Sequence, residues 1–385
     1  MYDLAVIGAG AAGVAIILNA IDCNNQIKIL WIDPTFTGGR LAQCYKNVPS
    51  NSKIKTFIDY AEYTNCGREI LRKSDNTAAY ERMKNLNQQD ECILKDAVDI
   101  LQMIIDGLFQ FYKENITIRK GIVEKLALKN EIWSITSCNY EVDNKVCNEV
   151  ATRYVALCIG SHPKVLNIPL VSLVPLVPLD VILQNEELPI EDSDVIAVFG
   201  SSHSAVLVMM NIINASKYKG ISVKIVNFYK NDLRYAIYKD DHIMYDNTGL
   251  KGIAATWAKK NLEIASDVIS RINIDDKELF MSNLRNCNKV VYAVGYEHNK
   301  LPIIVINDEK ILPMYNSSNG CFEMESNGTS VKGLFGCGIA FPEKITDKYG
   351  CELSVGMWKF MKRASQITKW MNLCPESYDF MTHDS

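Results

Sequence analysis

The chain opens on a short apolar run, Leu4–Ile7, that breaks into Val6-Ile-Gly8-Ala-Gly10-Ala-Ala-Gly13 and continues as Ala11–Ile21 at helical spacing. Lys28–Asp33 then reads as a second strand that ends in an acid. Strand, glycine turn, helix and strand make a β-α-β unit with parallel strands. Each glycine has a physical task. Gly8 makes the tight turn, Gly10 lets the backbone reach a pyrophosphate that a Cβ would block, and Gly13 lets helix and strand pack closely. The helix start adds positive potential for phosphates. Asp33 stands where an acid accepts hydrogen bonds from adenosine ribose hydroxyls. The whole context, more than the glycines alone, sets the expectation of a dinucleotide-binding unit.

A second unit of the same kind follows. Val195–Phe199 reads as a strand, Gly200–Ala205 as a turn, Val206–Ile213 as a helix and Ile221–Phe228 as a strand. The fingerprint is degenerate here: Phe199-Gly200-Ser-Ser202-His-Ser-Ala205 has Ser202 and Ala205 where the later glycines stand. Ser202 is small enough for a phosphate to approach, and Gly200, Ser202, His203 and Ser204 are the expected nucleotide neighbours. No acid follows the second strand. The sequence is Asn227-Phe-Tyr-Lys230, with Arg234 beyond. Cations in place of an acid favour a 2′-phosphate, so Lys230 and Arg234 point to NADPH over NADH. His203, at a helix start that disfavours its charged form, reads as a neutral hydrogen-bonding residue in preference to a base.

Between the two units, Ala97–Phe111 carries one apolar helical face, and Ile116–Ile118, Ile122–Leu126, Ile132–Ile135 and Tyr154–Ile159 read as strands with polar turns such as Asp143-Asn144. Pro163, Pro169, Pro175 and Pro178 mark a linker. Lys289–Val294 is a late strand, and the last helix is expected over about Glu352–Met371. The expected fold class is α/β, with two Rossmann-like dinucleotide-binding domains, one inserted in the other. Residues 1–165 and 289–385 form the first, and residues 166–288 the second.

Composition narrows the function. The chain has 385 residues, enough for two domains, and a formal net charge of -4 without long charged blocks, which argues against a nucleic-acid partner. Its twelve cysteines are scattered and include no Cys-x-x-Cys, so free thiols in a reducing, cytoplasmic compartment are expected, with no metal site. No apolar run reaches the ~18 residues of a membrane span, and no basic leader precedes the first strand. Val355–Met371, with Trp358, Phe360, Met361 and Trp370 among basic residues, reads as a helix packed on the first domain or at a homo-oligomer interface, ahead of a membrane-surface helix.

Two strands end in glycine: Val155-Ala-Leu-Cys-Ile159-Gly160 and Val290-Val-Tyr-Ala-Val294-Gly295-Tyr296. After Asp33 come Gly38-Gly39-Arg40-Leu41, then Tyr45-Lys-Asn-Val48-Pro-Ser50-Asn51-Ser52-Lys53, then Phe57-Ile-Asp59. Together these segments resemble the flavin-containing monooxygenases and the wider group of flavoproteins with two dinucleotide-binding domains. Gly160 is similar to that group's strand-ending "ATG" motif, and Val290–Tyr296 to the monooxygenases' "FATGY". The run from Gly38 to Asp59 resembles their double glycine followed, with a one-residue gap, by Tyr-x-x-Val-x-Thr-Asn-x-Ser-Lys with Phe and Asp beyond.

The resemblance implies FAD on the first domain and NADPH on the second. It implies Asn51 against the flavin as the active-site asparagine. Gly39, Arg40, Ser50, Val123, Gly160, Gly295 and Gly338 join the cofactor neighbours. It also implies O2 as co-substrate, and a small nitrogen or sulfur nucleophile oxygenated through a flavin C4a-hydroperoxide in a dry pocket. Three departures stand out. The family's FxGxxxHxxxY/F signature is missing from Pro163–Leu183. The second fingerprint lacks its middle glycine. In Gly333-Leu-Phe-Gly336-Cys-Gly338-Ile-Ala-Phe-Pro342-Glu343, Ile339 stands where disulfide reductases of this group carry an aspartate.

The rival readings are an NAD(P)H-dependent flavin reductase or oxidase, which needs no such pocket, and a non-catalytic dinucleotide-binding module. A disulfide reductase lacks its redox cysteine pair, and Cys44, near the expected flavin, has no local partner. Tyr245–Gly252 reads as an ordered loop, either a plain turn or a border of the substrate pocket.

Overall fold

The computed structural model describes residues 1–141, 144–168, 174–185, 187–239, 243–264, 266–325, 328–347 and 350–373. The expected turn and linker residues Asp143 and Pro169 and the cysteine Cys374 lie outside them. The first β-α-β unit forms as the pattern requires. Tyr2–Ile7 pairs in parallel with Ile29–Asp33, and helix Ala11–Cys23 connects them, buried along nearly its whole length. The sheet extends in parallel through Ile116–Lys120 on one side and Asn144–Leu157 on the other. Ser330–Gly336 adds in parallel beyond Asn144–Leu157, and the antiparallel strands Ile122–Lys129 and Ile132–Glu141 complete a meander.

Burial anchors this layer. Trp31 is fully buried between Phe36 and Phe109, and its ring N–H donates to the Gly8 carbonyl at 3.0 Å. One of the two fully buried tryptophans thus holds the glycine turn directly. On the outer side, helix Met357–Trp370 packs against Ala11–Cys23 through Met357, Met361, Ala364 and Ile367. Asn19 Nδ2 reaches across this contact to Met361 Sδ at 3.1 Å. This is the packed helix expected from the sequence, and among the described residues no helix is long and apolar enough to cross a membrane.

A second, four-stranded sheet is wholly parallel, in the order Ile269–Asn273, Lys224–Tyr229, Val195–Phe199, Lys289–Tyr292. Helix His203–Lys219 follows Val195–Phe199. The two sheets are joined by two chain crossings that pair with each other. Ser161–Pro163 runs antiparallel to Tyr296–His298, Lys164 N–H donates to the Gly295 carbonyl at 3.0 Å, and Asn299 N–H to the Gly160 carbonyl at 3.0 Å. Gly160 and Gly295 therefore both sit in the hinge between the sheets.

Three expectations are corrected. The boundary at 288/289 cuts the second sheet, because Lys289–Tyr292 pairs with Val195–Phe199 and the chain leaves that sheet only after Tyr292. The last helix begins at Met357, five residues past Glu352, because Glu343–Asp347 and Gly350–Ser354 form an antiparallel hairpin. The cysteines are not all free. Cys138 and Cys147 stand directly opposite in neighbouring antiparallel strands, with Cα atoms 4.1 Å apart, and are disulfide-bonded; Cys23 is disulfide-bonded too. Local spacing hides such a pair, because strand register alone makes it.

Two positions of the first turn, Gly8 and Gly13, leave no room for a side chain. Gly8 has φ +114°, and a Cβ there would lie 2.2 Å from the Cys158 carbonyl oxygen; one on Gly13 would lie 2.0 Å from the Gly8 oxygen. Gly8→Ala and Gly13→Ala are expected to lower the thermal unfolding midpoint by several degrees, or to abolish soluble protein, through backbone clash. An unchanged midpoint in either variant would contradict this packing.

Candidate functional site between the two sheets

The first glycine turn and the start of helix His203–Lys219 line one large cavity of about 1370 Å³. That exceeds the ~300–1,000 Å³ common for a single small ligand. From the first sheet it is lined by Gly8, Gly10, Asp33 and Val123, and from the hinge by Gly160. Gly39, Arg40, Ser50 and Asn51 line it from the segment after Asp33, His203 and Ser204 from the second sheet, and Gly338 from the C-terminal part.

The floor is bare backbone. Gly38 bridges Gly10, and a Cβ on Gly39 would lie 3.3 Å from the Gly10 Cα. Gly10 itself has open space: the nearest atom to an added Cβ is the Gly38 oxygen at 3.9 Å. A phosphate-bearing group can approach this surface closely. Gly338 lies against Ala12 at the same helix start.

Asp33 is mostly engaged inside the protein. One oxygen accepts from the Thr35 and Phe36 N–H groups at 2.8 and 2.7 Å, and the other accepts from Ala9 N–H at 2.8 Å. A carboxylate has about four lone-pair sites, so the Ala9-bonded oxygen keeps capacity for one more donor. Ser50 is likewise occupied. Its hydroxyl donates to the Ser52 carbonyl at 2.6 Å and accepts from Cys92 N–H at 3.2 Å, which shapes the turn that carries Asn51.

Two polar atoms in the cavity wall lack a hydrogen-bond partner, Asn51 Oδ1 and His203 Nδ1. Buried polar groups are rarely left so, and each costs about 1–3 kcal/mol if nothing meets it. His203 Nε2 lies 3.3 Å from the Pro49 carbonyl, so the imidazole ties the start of helix His203–Lys219 to the Asn51 turn. Burial lowers its pKa, and the nearby Lys251 ammonium lowers it further, which keeps the ring neutral.

A polar cluster missed by sequence reasoning joins the two sheets beside this point. Arg40 pairs with Asp180 of helix Leu179–Gln184, and the Tyr45 hydroxyl donates to the other Asp180 oxygen at 2.7 Å. Arg40 Nε donates to the Tyr45 oxygen at 3.3 Å, and the Tyr45 and Tyr296 rings meet edge to face at 6.3 Å. Burial pushes both tyrosines above their ordinary pKa, so they act as hydroxyls. Tyr45 and Tyr296 stand inside the quoted motifs, whereas nothing in the sequence marks Asp180.

The other expected residues lie elsewhere. Gly13 and Gly200 shape their turns from behind; a Cβ on Gly200 would lie 2.3 Å from the Ala293 oxygen. Ser202 is exposed and immediately precedes helix His203–Lys219, with no side-chain capping bond, and Gly295 belongs to the hinge. Lys230 and Arg234 line a separate open cavity of about 600 Å³ at the end of Lys224–Tyr229. There Arg234 stacks on Tyr245 at 4.6 Å. Arg271, from a strand the sequence pattern did not reveal, stacks on Tyr229 at 4.4 Å and donates to Asn227 Oδ1 at 3.2 Å. Asn227 is fully buried and donates to the Gly200 carbonyl at 2.7 Å, which fixes the turn, and by register Tyr229 stands where the first unit has Asp33.

The cavity thiols are not poised for exchange. Burial raises Cys158 well above the ordinary thiol range and Cys337 to about 12; Cys44 is raised as well, by burial and then by Asp180. Thiolate is the reactive form. Neither Cys138 nor Cys147 lines the cavity. The segment Tyr245–Gly252 does border it, through Asp246, Asn247 and Lys251.

Comparison with known proteins agrees with this geometry. The sequence profile of the pyridine nucleotide-disulphide oxidoreductases matches residues 2–340. A protein named monooxygenase AgnR1 from Paecilomyces divaricatus is 34% identical over 385 residues, covering 95% of this chain and 97% of that protein. Among solved structures, the bacillithiol disulfide reductase Bdr from Staphylococcus aureus aligns with a TM-score of 0.54 at 10% identity, over 96% of this chain and 98% of that one. S-allyl-L-cysteine S-oxygenase from Allium sativum aligns with a TM-score of 0.54 at 13% identity, over 96% and 76%. At such identities the two structures speak for the fold alone. With the profile match and the 34% relative, the chain belongs to the pyridine nucleotide-disulphide oxidoreductase family and is an enzyme that binds flavin and a pyridine nucleotide.

Proposed function

We propose that the chain is an FAD-dependent, NADPH-consuming monooxygenase that oxygenates a small nitrogen or sulfur nucleophile. The observation that carries this reading is the pair of unpartnered buried atoms, Asn51 Oδ1 and His203 Nδ1, in one cavity lined by the first glycine turn and by the start of helix His203–Lys219. Such atoms fit a site completed by bound cofactors. The neutral cavity thiols speak against disulfide exchange, the usual work of the family's name.

In this reading residues 1–165 and the C-terminal part hold FAD, and the sheet from Val195 to Tyr292 holds NADPH. Gly8, Gly10 and the Gly38-Gly39 floor would receive the FAD pyrophosphate. Asp33 would use its remaining lone pair for a ribose hydroxyl, with Val123, Gly160 and Gly338 as backbone neighbours. Gly200, Ser202 and Ser204 would receive the NADPH pyrophosphate. Lys230 and Arg234 would meet the 2′-phosphate, with Arg271 beside them. Reduced by NADPH, FAD supplies the activation of O2. The chain's own work is to orient and to exclude water. His203 fixes the Asn51 turn from the second sheet. Asn51 presents its carboxamide to the reacting end. Trp358, held edge to face by Tyr63 at 5.3 Å, closes the C-terminal wall.

Three variants test these assignments. Gly10→Ala is expected to leave thermal stability within about 0.5 kcal/mol, since Gly10 has ordinary φ and free space, and yet to lose bound FAD on gel filtration. Retention of full FAD content would remove Gly10 from the site. Asn51→Ala is expected to keep NADPH oxidation but to divert most of it to hydrogen peroxide, read by peroxide assay against product; unchanged coupling would reject the role. Arg234→Ala with Lys230→Ala is expected to raise the KM for NADPH about tenfold or more, with little change for NADH. An equal change for both nucleotides would point away from 2′-phosphate recognition.

A further inference from the structure

At the end of the cavity near Asn51, the charges do not balance. Lys251 donates to Asp246 Oδ1 at 2.5 Å and to the Asp246 carbonyl at 2.7 Å, and only 8% of its side chain is exposed. Lys359, three residues into the C-terminal helix, donates to the other Asp246 oxygen at 2.6 Å and also to Asn247. Two ammonium groups thus share one carboxylate. Burial alone would raise the Asp246 pKa, but the bonds from Lys251 and Lys359 outweigh it and hold the acid ionised.

The neighbouring charges leave the excess in place. Lys53, over the Tyr238 ring at 5.2 Å, and Lys362, over the Trp358 ring at 5.2 Å, line the same cavity and add positive charge. Glu352 accepts from Asn247 N–H at 3.1 Å and from Thr248, and Glu91 lies against Gly252; neither lines the cavity. Asp246 is the one acid at this end that does. The field reaches across: Lys251 helps to depress His203.

No cofactor phosphate accounts for this charge in the proposed arrangement. Both pyrophosphates belong at the glycine turns, and the 2′-phosphate belongs at Lys230 and Arg234, in a different cavity. The lysines stand instead at the reacting end, where Gly356 lies against Ser52 beside Asn51. Aromatic and apolar side chains, Tyr238, Ile243, Val355 and Trp358, line the same cavity. A partly buried cation in excess is costly until an anion meets it.

We infer that Lys251 and Lys359, set about Asp246, form a substrate subsite for a carboxylate, and that the substrate is an acid with an aromatic or bulky apolar body. This rests on the oxygen-transfer reading only for the word substrate; the anion site stands on its own geometry. Asp246 offsets only one of the two ammonium charges and competes with the substrate's carboxylate for them, and the apolar wall takes the body of the molecule.

The test uses flavin-loaded protein without NADPH and a matched pair of probes, 4-(methylthio)benzoate and 4-(methylthio)benzyl alcohol, titrated by calorimetry. The acid is expected to bind about tenfold tighter than the alcohol, as one charge-assisted contact gives. Lys359→Gln is expected to erase that preference while leaving alcohol binding unchanged. Asp246→Asn, which removes the competing carboxylate, is expected to keep or enlarge it. The inference is overturned if the acid binds no tighter than the alcohol, if Lys359→Gln weakens both alike, or if Asp246→Asn abolishes the preference. Because calorimetry needs no turnover, an acid that binds but yields no sulfoxide with NADPH and air would reject the oxygen-transfer reading and leave the subsite intact.

Discussion

The paired crossing of Ser161–Pro163 with Tyr296–His298 is the joint on which everything else in the molecule depends. Each sheet has its own core, one around Trp31 and one around Val198 and Val206. The useful space lies between them, so it exists only if the sheets keep a fixed relation. Two chain crossings tied to each other by backbone hydrogen bonds restrict that relation far more than two independent linkers would. Asn299 reinforces the joint by donating from its side chain to the Ile159 carbonyl at 2.8 Å.

Polar contacts refine the relation. Arg40, Tyr45 and Asp180 form a partly buried network across the interface, and His203 reaches Pro49. Networks of this kind add little net stability, since desolvation offsets the attraction, but their geometry selects one arrangement. Here the selected arrangement sets the start of helix His203–Lys219 against the turn that carries Asn51. The ion pairs of Asp246 add a third tie, from the second sheet's loop to the C-terminal helix. Arg40, Tyr45 and His203, which tie the two sheets together, also line the cavity.

What was legible in the sequence was local. Both β-α-β units follow from period and glycine placement, and the Ala11–Cys23 and Lys95–Phe111 helices follow from their apolar faces. The clustering of Gly10, Gly39, Asn51 and Gly338 around one cavity was also within reach, because each sits in a motif with its own spacing. The rest depended on register and distance. Cys138 meets Cys147 only because two strands pair in one register. Arg271 comes from the short strand Ile269–Asn273, whose pattern is too mixed to announce itself. Asp180 lies in a proline-rich stretch, where a six-residue helix, Leu179–Gln184, was hidden by its neighbours. The Glu343–Ser354 hairpin reads as helix start because Glu352 and Leu353 favour either state, and only the opposing strand decides. Asp246 was seen as part of an ordered loop, but its two lysine partners are set by tertiary contacts 5 and 113 residues away.

The most direct test of the central claim, that the cavity between the sheets is a working flavin and nicotinamide site, is an anaerobic visible spectrum. Purified protein, loaded with FAD if necessary, would be mixed with NADPH and the absorbance near 450 nm followed, as is general for flavoproteins. The account expects yellow protein that bleaches on NADPH and regains its colour in air. A protein that cannot be loaded with FAD, or whose bound flavin NADPH leaves oxidised, would contradict it.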